Sequence, residues 1–302
     1  MSRVKVSAPG KLMLLGEHAV IYGKPCLVAA VDKRMEVEVE KVDKDMIEAP
    51  KGMDLRFVRA VLKKFKGRYG QSGVRVVTKN GFSSSYGFGS SAAVTVALSK
   101  ALFELFEIKV SKRELFDFGF KVVGEVQGLG SGFDVAAAVY GGVSYFVKGG
   151  KKIKELGVKE LPIVVGYTGV KAKTAEVVRQ VAELKKKQPE KVGAWLEQAG
   201  EMVEKGRELL IKKKWQELGK LMSENQEILR NLGVSSQRLE RLIEAAIEAG
   251  AEGAKLSGAG KGDCMIALVE EKERERVEKA IEVAGGKVLR LRLEAEGVRR
   301  EE

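Results

Sequence analysis

The sequence predicts an α+β chain divided into two domains. Three observations carry that expectation: alternating strands fill the first third, four charged amphipathic helices follow the midpoint, and a short mixed segment closes the chain. With 302 residues, 44% of them hydrophobic, the chain can bury two cores of ordinary size.

The strands come first. Met35, Val37 and Val39 alternate with Glu36, Glu38 and Glu40, the pattern of a half-buried strand. Residues 3–7 and 74–78 look similar. Residues 92–106 are rich in Ala and Leu and long enough for a packed helix. Ser111-Lys112-Arg113-Glu114 is a capping box, so the next helix starts there and runs to about Gln127. Residues 139–147 return to strand, and a further apolar strand covers 163–167. Residues 173–187, 192–212, 215–232 and 237–248 have the apolar periodicity and charge of surface helices. The ending comprises strands over 254–257 and 263–269, a helix over 272–283 and a strand over 287–293. Gly149, Gly150 and Gly157 lie among lysines near 151–161, which places the boundary between domains 1–155 and 156–302.

Composition narrows the chemistry. Two cysteines, Cys26 and Cys264, exclude a disulfide framework and a four-cysteine zinc site. One histidine, His18, excludes a multi-histidine metal centre. No apolar run reaches membrane-spanning length, and residues 1–11 alternate rather than forming a signal sequence, so a cytoplasmic protein is expected. The net charge of +12 either draws anions or reflects a solvated, lysine-rich surface. A nucleic-acid module would interleave those charges with exposed aromatics, and only 6% of residues are aromatic.

Three glycine-rich segments stand far apart. The first is Ser7-Ala8-Pro9-Gly10-Lys11, followed by Gly16-Glu17-His18-Ala19-Val20. The second is Gly87-Phe88-Gly89-Ser90-Ser91-Ala92-Ala93, where glycines and two serines run straight into a helix-forming stretch. Such a helix start offers unpaired N–H groups and a positive dipole end to a phosphate, and a serine hydroxyl to phosphate or magnesium. An ordinary serine cap after a glycine turn has the same sequence. The segment is neither a Walker A loop nor a dinucleotide fingerprint. The third is Ser257-Gly258-Ala259-Gly260-Lys261-Gly262-Asp263-Cys264, which alone would pass for a hairpin. Gly128-Leu129-Gly130-Ser131-Gly132-Phe133-Asp134 is a fourth candidate, with Asp134 as the cap of the following element.

In order and over essentially the whole chain, these segments resemble the three signature motifs of the galactokinase, homoserine, mevalonate and phosphomevalonate (GHMP) superfamily of small-molecule ATP kinases. Residues 16–23 are very close to the mevalonate kinase form, and 163–174 and 221–233 are similar to archaeal members. The resemblance implies an N-terminal domain like ribosomal protein S5, a C-terminal ferredoxin-like domain with added helices, and a cleft between them. It implies ATP-dependent phosphorylation of mevalonate at its 5-hydroxyl, with phosphomevalonate as the alternative acceptor. It also implies roles by position. Gly87, Phe88, Gly89, Ser90, Ser91, Ala92 and Ala93 match the ATP phosphate loop. Ser91 and Glu125 match magnesium ligands. Asp134 matches the catalytic aspartate and Lys11 the lysine that polarises the acceptor hydroxyl. Glu17, His18, Thr174, Gly258 and Ala259 match substrate-side positions, with His18 and the basic cleft attracting a carboxylate. The implied partner is a small-molecule substrate, without nucleic acid or membrane; a homodimer is compatible.

On residues alone, Lys11 and Glu17 are equally a surface ion pair, His18 a satisfied core histidine and Glu125 an exposed helix residue. The pattern also departs from the family. Ser85 stands where glycine is common, Tyr86 and Phe88 are bulky, and Lys261 and Asp263 replace glycines. A lysine at positive φ is costly, so the third turn is expected to differ. Gly262-Asp263-Cys264 is more like phosphomevalonate kinases. A non-catalytic sensor on the same fold would be expected to lack Lys11, Glu125 or Asp134, and all three are present.

Overall fold

The computed structural model describes residues 3–71, 73–128 and 130–302; Met1 of the N-terminal stretch and Leu129 of the fourth glycine segment lie outside them. In chain order the elements are β1 (Arg3–Leu15), β2 (Pro25–Lys41), β3 (Met46–Glu48), α1 (Arg56–Tyr69), β4 (Val74–Asn80), α2 (Ser90–Leu105), α3 (Lys112–Gln127), α4 (Phe133–Tyr140), β5 (Val143–Val147), β6 (Lys152–Glu155) and β7 (Ile163–Tyr167). Then follow α5 (Thr174–Lys187), α6 (Pro189–Ile211), α7 (Trp215–Asn231), α8 (Gln237–Glu248), β8 (Gly253–Ser257), β9 (Cys264–Leu268), α9 (Arg274–Val283), β10 (Lys287–Val288) and β11 (Arg299–Glu301). The α+β expectation holds.

The strands form two sheets. The first has the order β11-β1-β2-β4-β3, with β5 and β6 added along the early half of β2. Among the described residues only β3 and β4 pair in parallel. The second sheet is β10-β7-β9-β8, antiparallel throughout. Met35, Val37 and Val39 are buried, as their alternation predicts. Helices α2 and α4 cover β1 and β2, α7 and α8 cover β8 and β9, and α9 packs on β7 and β10. Helix α6 reaches back to the first sheet: a Cβ on Gly206 would come within 2.4 Å of Leu15 Cδ1.

Several expectations need correction. The strand expected over 3–7 runs on to Leu15 and takes in Ser7–Lys11 of the first glycine segment, where a register shift between Pro9 and Gly10 accommodates the proline; Gly16–Val20 follow it as a turn. Residues 139 and 140 end α4, and strand begins only at Val143. The strand over 287–293 shrinks to Lys287–Val288. Helix α1 and strand β11 fall where no element was expected. The last residues return to the first sheet: β11 pairs with β1 at Lys5, Val6 and Ser7, and Arg34 bonds the carbonyls of Glu296 and Gly297 at 2.7 Å each. The capping box of α3 forms, and that helix ends at Gln127 as expected.

Candidate active site

The site is built around the start of α2. Gly89 is its N-cap, with φ +72°. A Cβ there would meet Lys11 Cγ at 3.3 Å and Asp134 Cβ at 3.5 Å, so glycine lets strand, helix start and aspartate converge. The backbone of Lys11 donates to Phe88 O at 2.9 Å and its Nζ to Gly87 O at 2.8 Å. The Lys11 ammonium also sits 5.3 Å from the centre of the Phe133 ring. Ser90 and Ser91 occupy the first helical turn, which carries no acidic residue. Here the unpaired N–H groups and the dipole of a 16-residue helix face Lys11 and create a strongly anion-attracting corner.

Asp134 is not a cap. Gly132 caps α4, and Asp134 stands in its first turn, its Oδ1 accepting from Val135 N at 3.0 Å. Burial raises its carboxyl above the usual range, against the pull of the Lys11 ammonium. The same charges reach a neighbour. Burial pushes the Cys26 thiol well up, Glu17 and Asp134 add to the effect, and Lys11 opposes it. The first segment touches Cys26 directly: a Cβ on Gly16 would lie 2.7 Å from Cys26 Cβ.

The third segment closes the opposite side. Gly258 and Gly260 have positive φ, and so do Lys261 (φ 61°) and Asp263 (φ 56°). The lysine and aspartate adopt left-handed backbone themselves, so the expectation of a rearranged turn fails at these two residues. Lys261 N is held by Val234 O at 2.7 Å. Asp263 bonds Val170 O through its N–H at 2.7 Å and accepts from Ala172 N at 2.9 Å. A Cβ on Gly87 would lie 2.5 Å from Asp263 Oδ2, so the second and third segments touch. Burial raises the Asp263 carboxyl too, with the Ala172 N–H, Lys11 and Lys171 opposing.

Glu17 and His18 join the first segment to the third. Glu17 is buried and pairs with Lys255, not with Lys11. His18 is 4% exposed, and its Nε2 lies 2.9 Å from Ala259 O. That carbonyl can only accept, so Nε2 carries the proton and Nδ1 is left as an acceptor. Burial lowers the imidazole's pKa, and the Ala259 bond only partly offsets this. A neutral ring with a free acceptor is better suited to a donor than to a carboxylate.

Two expected site residues are exposed to solvent. Glu125 is exposed and pairs with Lys64 of α1. It shares a helical face with Phe118, which packs on Phe103 and so toward α1. The Asp134 side of α3 is instead lined by Gly119 and Phe120, next to Val135 and Gly132. Thr174 opens α5 and is exposed; it is Val170 and Ala172, before it, that bond the third segment. Sequence reasoning missed Lys255 and the carboxylate of Asp263. Their signals were a lysine in an otherwise apolar strand and an aspartate in a glycine turn.

The donor set suits magnesium in part. Ser91 and Asp134 are hard oxygen donors near the helix start, while Glu125 is not. Among the described residues no three His, Cys, Asp or Glu side chains are grouped to hold a metal alone.

This arrangement matches one protein class. Family models for the GHMP kinases N terminal domain and the GHMP kinases C terminal match residues 56–142 and 207–286, and the chain belongs to the GHMP kinase family. Among its relatives, the mevalonate kinase of Pyrococcus abyssi is 38% identical over 99% of this chain and 98% of its own. The crystal structure of L. major mevalonate kinase in complex with R-mevalonate superposes with a TM-score of 0.81 at 28% identity, covering 98% of this chain and 97% of that one. A Lin0012 protein from Listeria innocua shares the fold over 100% of both chains, with a TM-score of 0.90 at 24% identity.

Proposed function

We propose that the chain transfers the terminal phosphoryl group of ATP to the 5-hydroxyl of mevalonate. The observation that carries this reading is the meeting of Lys11, Asp134 and the α2 N-terminus at Gly89. The full-length likeness to mevalonate kinases supports the acceptor.

The chemistry follows from the corner's charges. The acceptor oxygen attacks the terminal phosphorus, the new O–P bond forms, and the bond to the bridging oxygen breaks to leave ADP. Little covalent help is needed; positioning and charge neutralisation dominate. The N–H groups of the first turn of α2 hold the phosphates. Lys11 leaves Gly87 O for the transferred group and offsets its developing charge. Asp134 takes the acceptor's proton, and its raised affinity for protons suits it to that task.

Ser91 and Asp134 would hold magnesium with the phosphates, since this ion needs few protein ligands when phosphates supply the rest. Bound there, it would neutralise phosphate charge. Cys26 and Cys264 are both free and buried, which suits a reducing cytoplasm. ADP release coupled to a reporter tests the reading, with mevalonate and phosphomevalonate as rival acceptors. Turnover on mevalonate is expected. Turnover on phosphomevalonate alone would replace the acceptor.

A further inference from the structure

Strand β8 and its extension tie the two sheets together through alternate residues. Lys255 Nζ pairs with Glu17. Ser257 Oγ donates to Met13 O at 2.8 Å and accepts from Met13 N at 3.1 Å. Ala259 O takes the His18 imidazole. Lys255 and Ser257, two apart in β8, put their side chains on one face, and the turn at Gly258 (φ 101°) brings the Ala259 carbonyl to the same segment, so the first segment is gripped at three points.

Lys255 is the unusual member. Both it and Glu17 have fully buried side chains. Its ammonium also donates to Leu256 O at 2.6 Å. A buried ion pair is weak evidence for stability, because desolvation offsets the attraction. A pair retained at such a place invites a different role. The far ends of both first-segment residues are unsatisfied: Glu17 Oε2 and His18 Nδ1 are buried with no hydrogen-bond partner. Both are acceptors in this arrangement, so both call for donors. His18 is also held at φ 60°, a conformation that persists where its surroundings enforce it.

We propose that Lys255 is a positioning residue for the acceptor: by fixing one oxygen of Glu17 across the domain boundary, it presents Glu17 Oε2 and His18 Nδ1 as paired acceptors for hydroxyl groups of the substrate. Two unpaired acceptors suit donors, not the acceptor's carboxylate. Lys255 touches no reacting atom and acts through Glu17. This inference rests on the kinase reading of the same site.

Steady-state kinetics of Lys255→Met, Glu17→Gln and the double variant provide the test, using whichever acceptor the wild-type chain phosphorylates. Failure of wild-type turnover on mevalonate would thus count against the proposed function and leave this comparison intact. Lys255→Met is expected to raise the acceptor KM about tenfold or more, because Glu17 is left charged, buried and unpaired. The ATP KM should stay within about twofold, because the α2 corner is untouched. In the double variant the acceptor KM should match that of Glu17→Gln alone, since Lys255 has nothing left to position. If either single variant does not fold, the double variant, which buries no lone charge, is compared with the wild type: an acceptor KM raised about tenfold with the ATP KM within about twofold is expected, and unchanged KM values overturn the proposal. A purely structural Lys255 would lower the melting temperature and leave the acceptor KM unchanged. That result overturns the proposal, as would equal rises in both KM values or losses that multiply in the double variant.

Discussion

Asp134 and Glu125 are both acidic residues of the same stretch, and the fold treats them in opposite ways. Asp134 faces Lys11 across Gly89, whereas Glu125 faces solvent and Lys64. Asp134→Asn keeps the volume and removes the proton acceptor, so kcat should fall by about 100-fold or more with an unchanged circular dichroism spectrum. Glu125→Gln should leave turnover and the magnesium titration within about twofold of wild type, because only an exposed ion pair is lost. The pH profile follows from Asp134 as well. Burial raises its pKa, and the ionised form is the one that takes the proton. Activity should therefore fall as pH drops through a value above the ordinary aspartate pKa of about 3.9, and that acid limb should vanish in Asp134→Asn. Ser91→Ala should raise the magnesium concentration needed for half-maximal rate. Lys11 and Asp134 were legible because their segments resemble family motifs. The place of Glu125 was not, because which face of α3 meets α1 depends on packing rather than on spacing along the chain.

At the scale of elements, the glycine N-cap of α2 is the most exposed to substitution. Gly89→Ala forces a Cβ onto a residue at φ +72° and against Lys11 Cγ at 3.3 Å. The backbone penalty alone is about 1–2 kcal/mol. The ATP KM should rise in step with the lowered melting temperature, measured by nucleotide titration and calorimetry on the same variant. Helix α3 shows the reverse case, an element set by local sequence: Ser111 and Glu114 form both bonds of the capping box. Helix α4 escaped sequence reading for a physical reason. Its residues 135–139 are all buried and apolar, so it has no polar face to betray its period. Helix α1 does have the period, with Phe57, Val58, Val61, Leu62 and Phe65 buried, but its six basic residues mask it. Strand β1 runs through Pro9 only because the pairing register shifts there, and a pairing shift is invisible in one strand's sequence.

For the whole molecule, the chain's end belongs to its beginning. Strand β11 covers the edge of β1 just before Lys11, and Arg34 clamps the returning segment through Glu296 and Gly297. Removing residues 295–302 should bare that edge, lower the melting temperature by about 5 °C or more and promote aggregation, as scanning calorimetry and light scattering would report. The sequence by itself determined the α+β character, most helices of the second half, the capping box and the kinase motifs, because these rest on periodicity and on short runs whose chemistry is local. Only the tertiary structure decided that Glu17 pairs with Lys255, that Asp263 meets the Gly87 loop, that Glu125 turns away and that the tail closes the first sheet. Each of these joins residues dozens to hundreds of positions apart, and burial and the direction of a side chain are settled when sheets and helices pack, not by the order of residues along the chain.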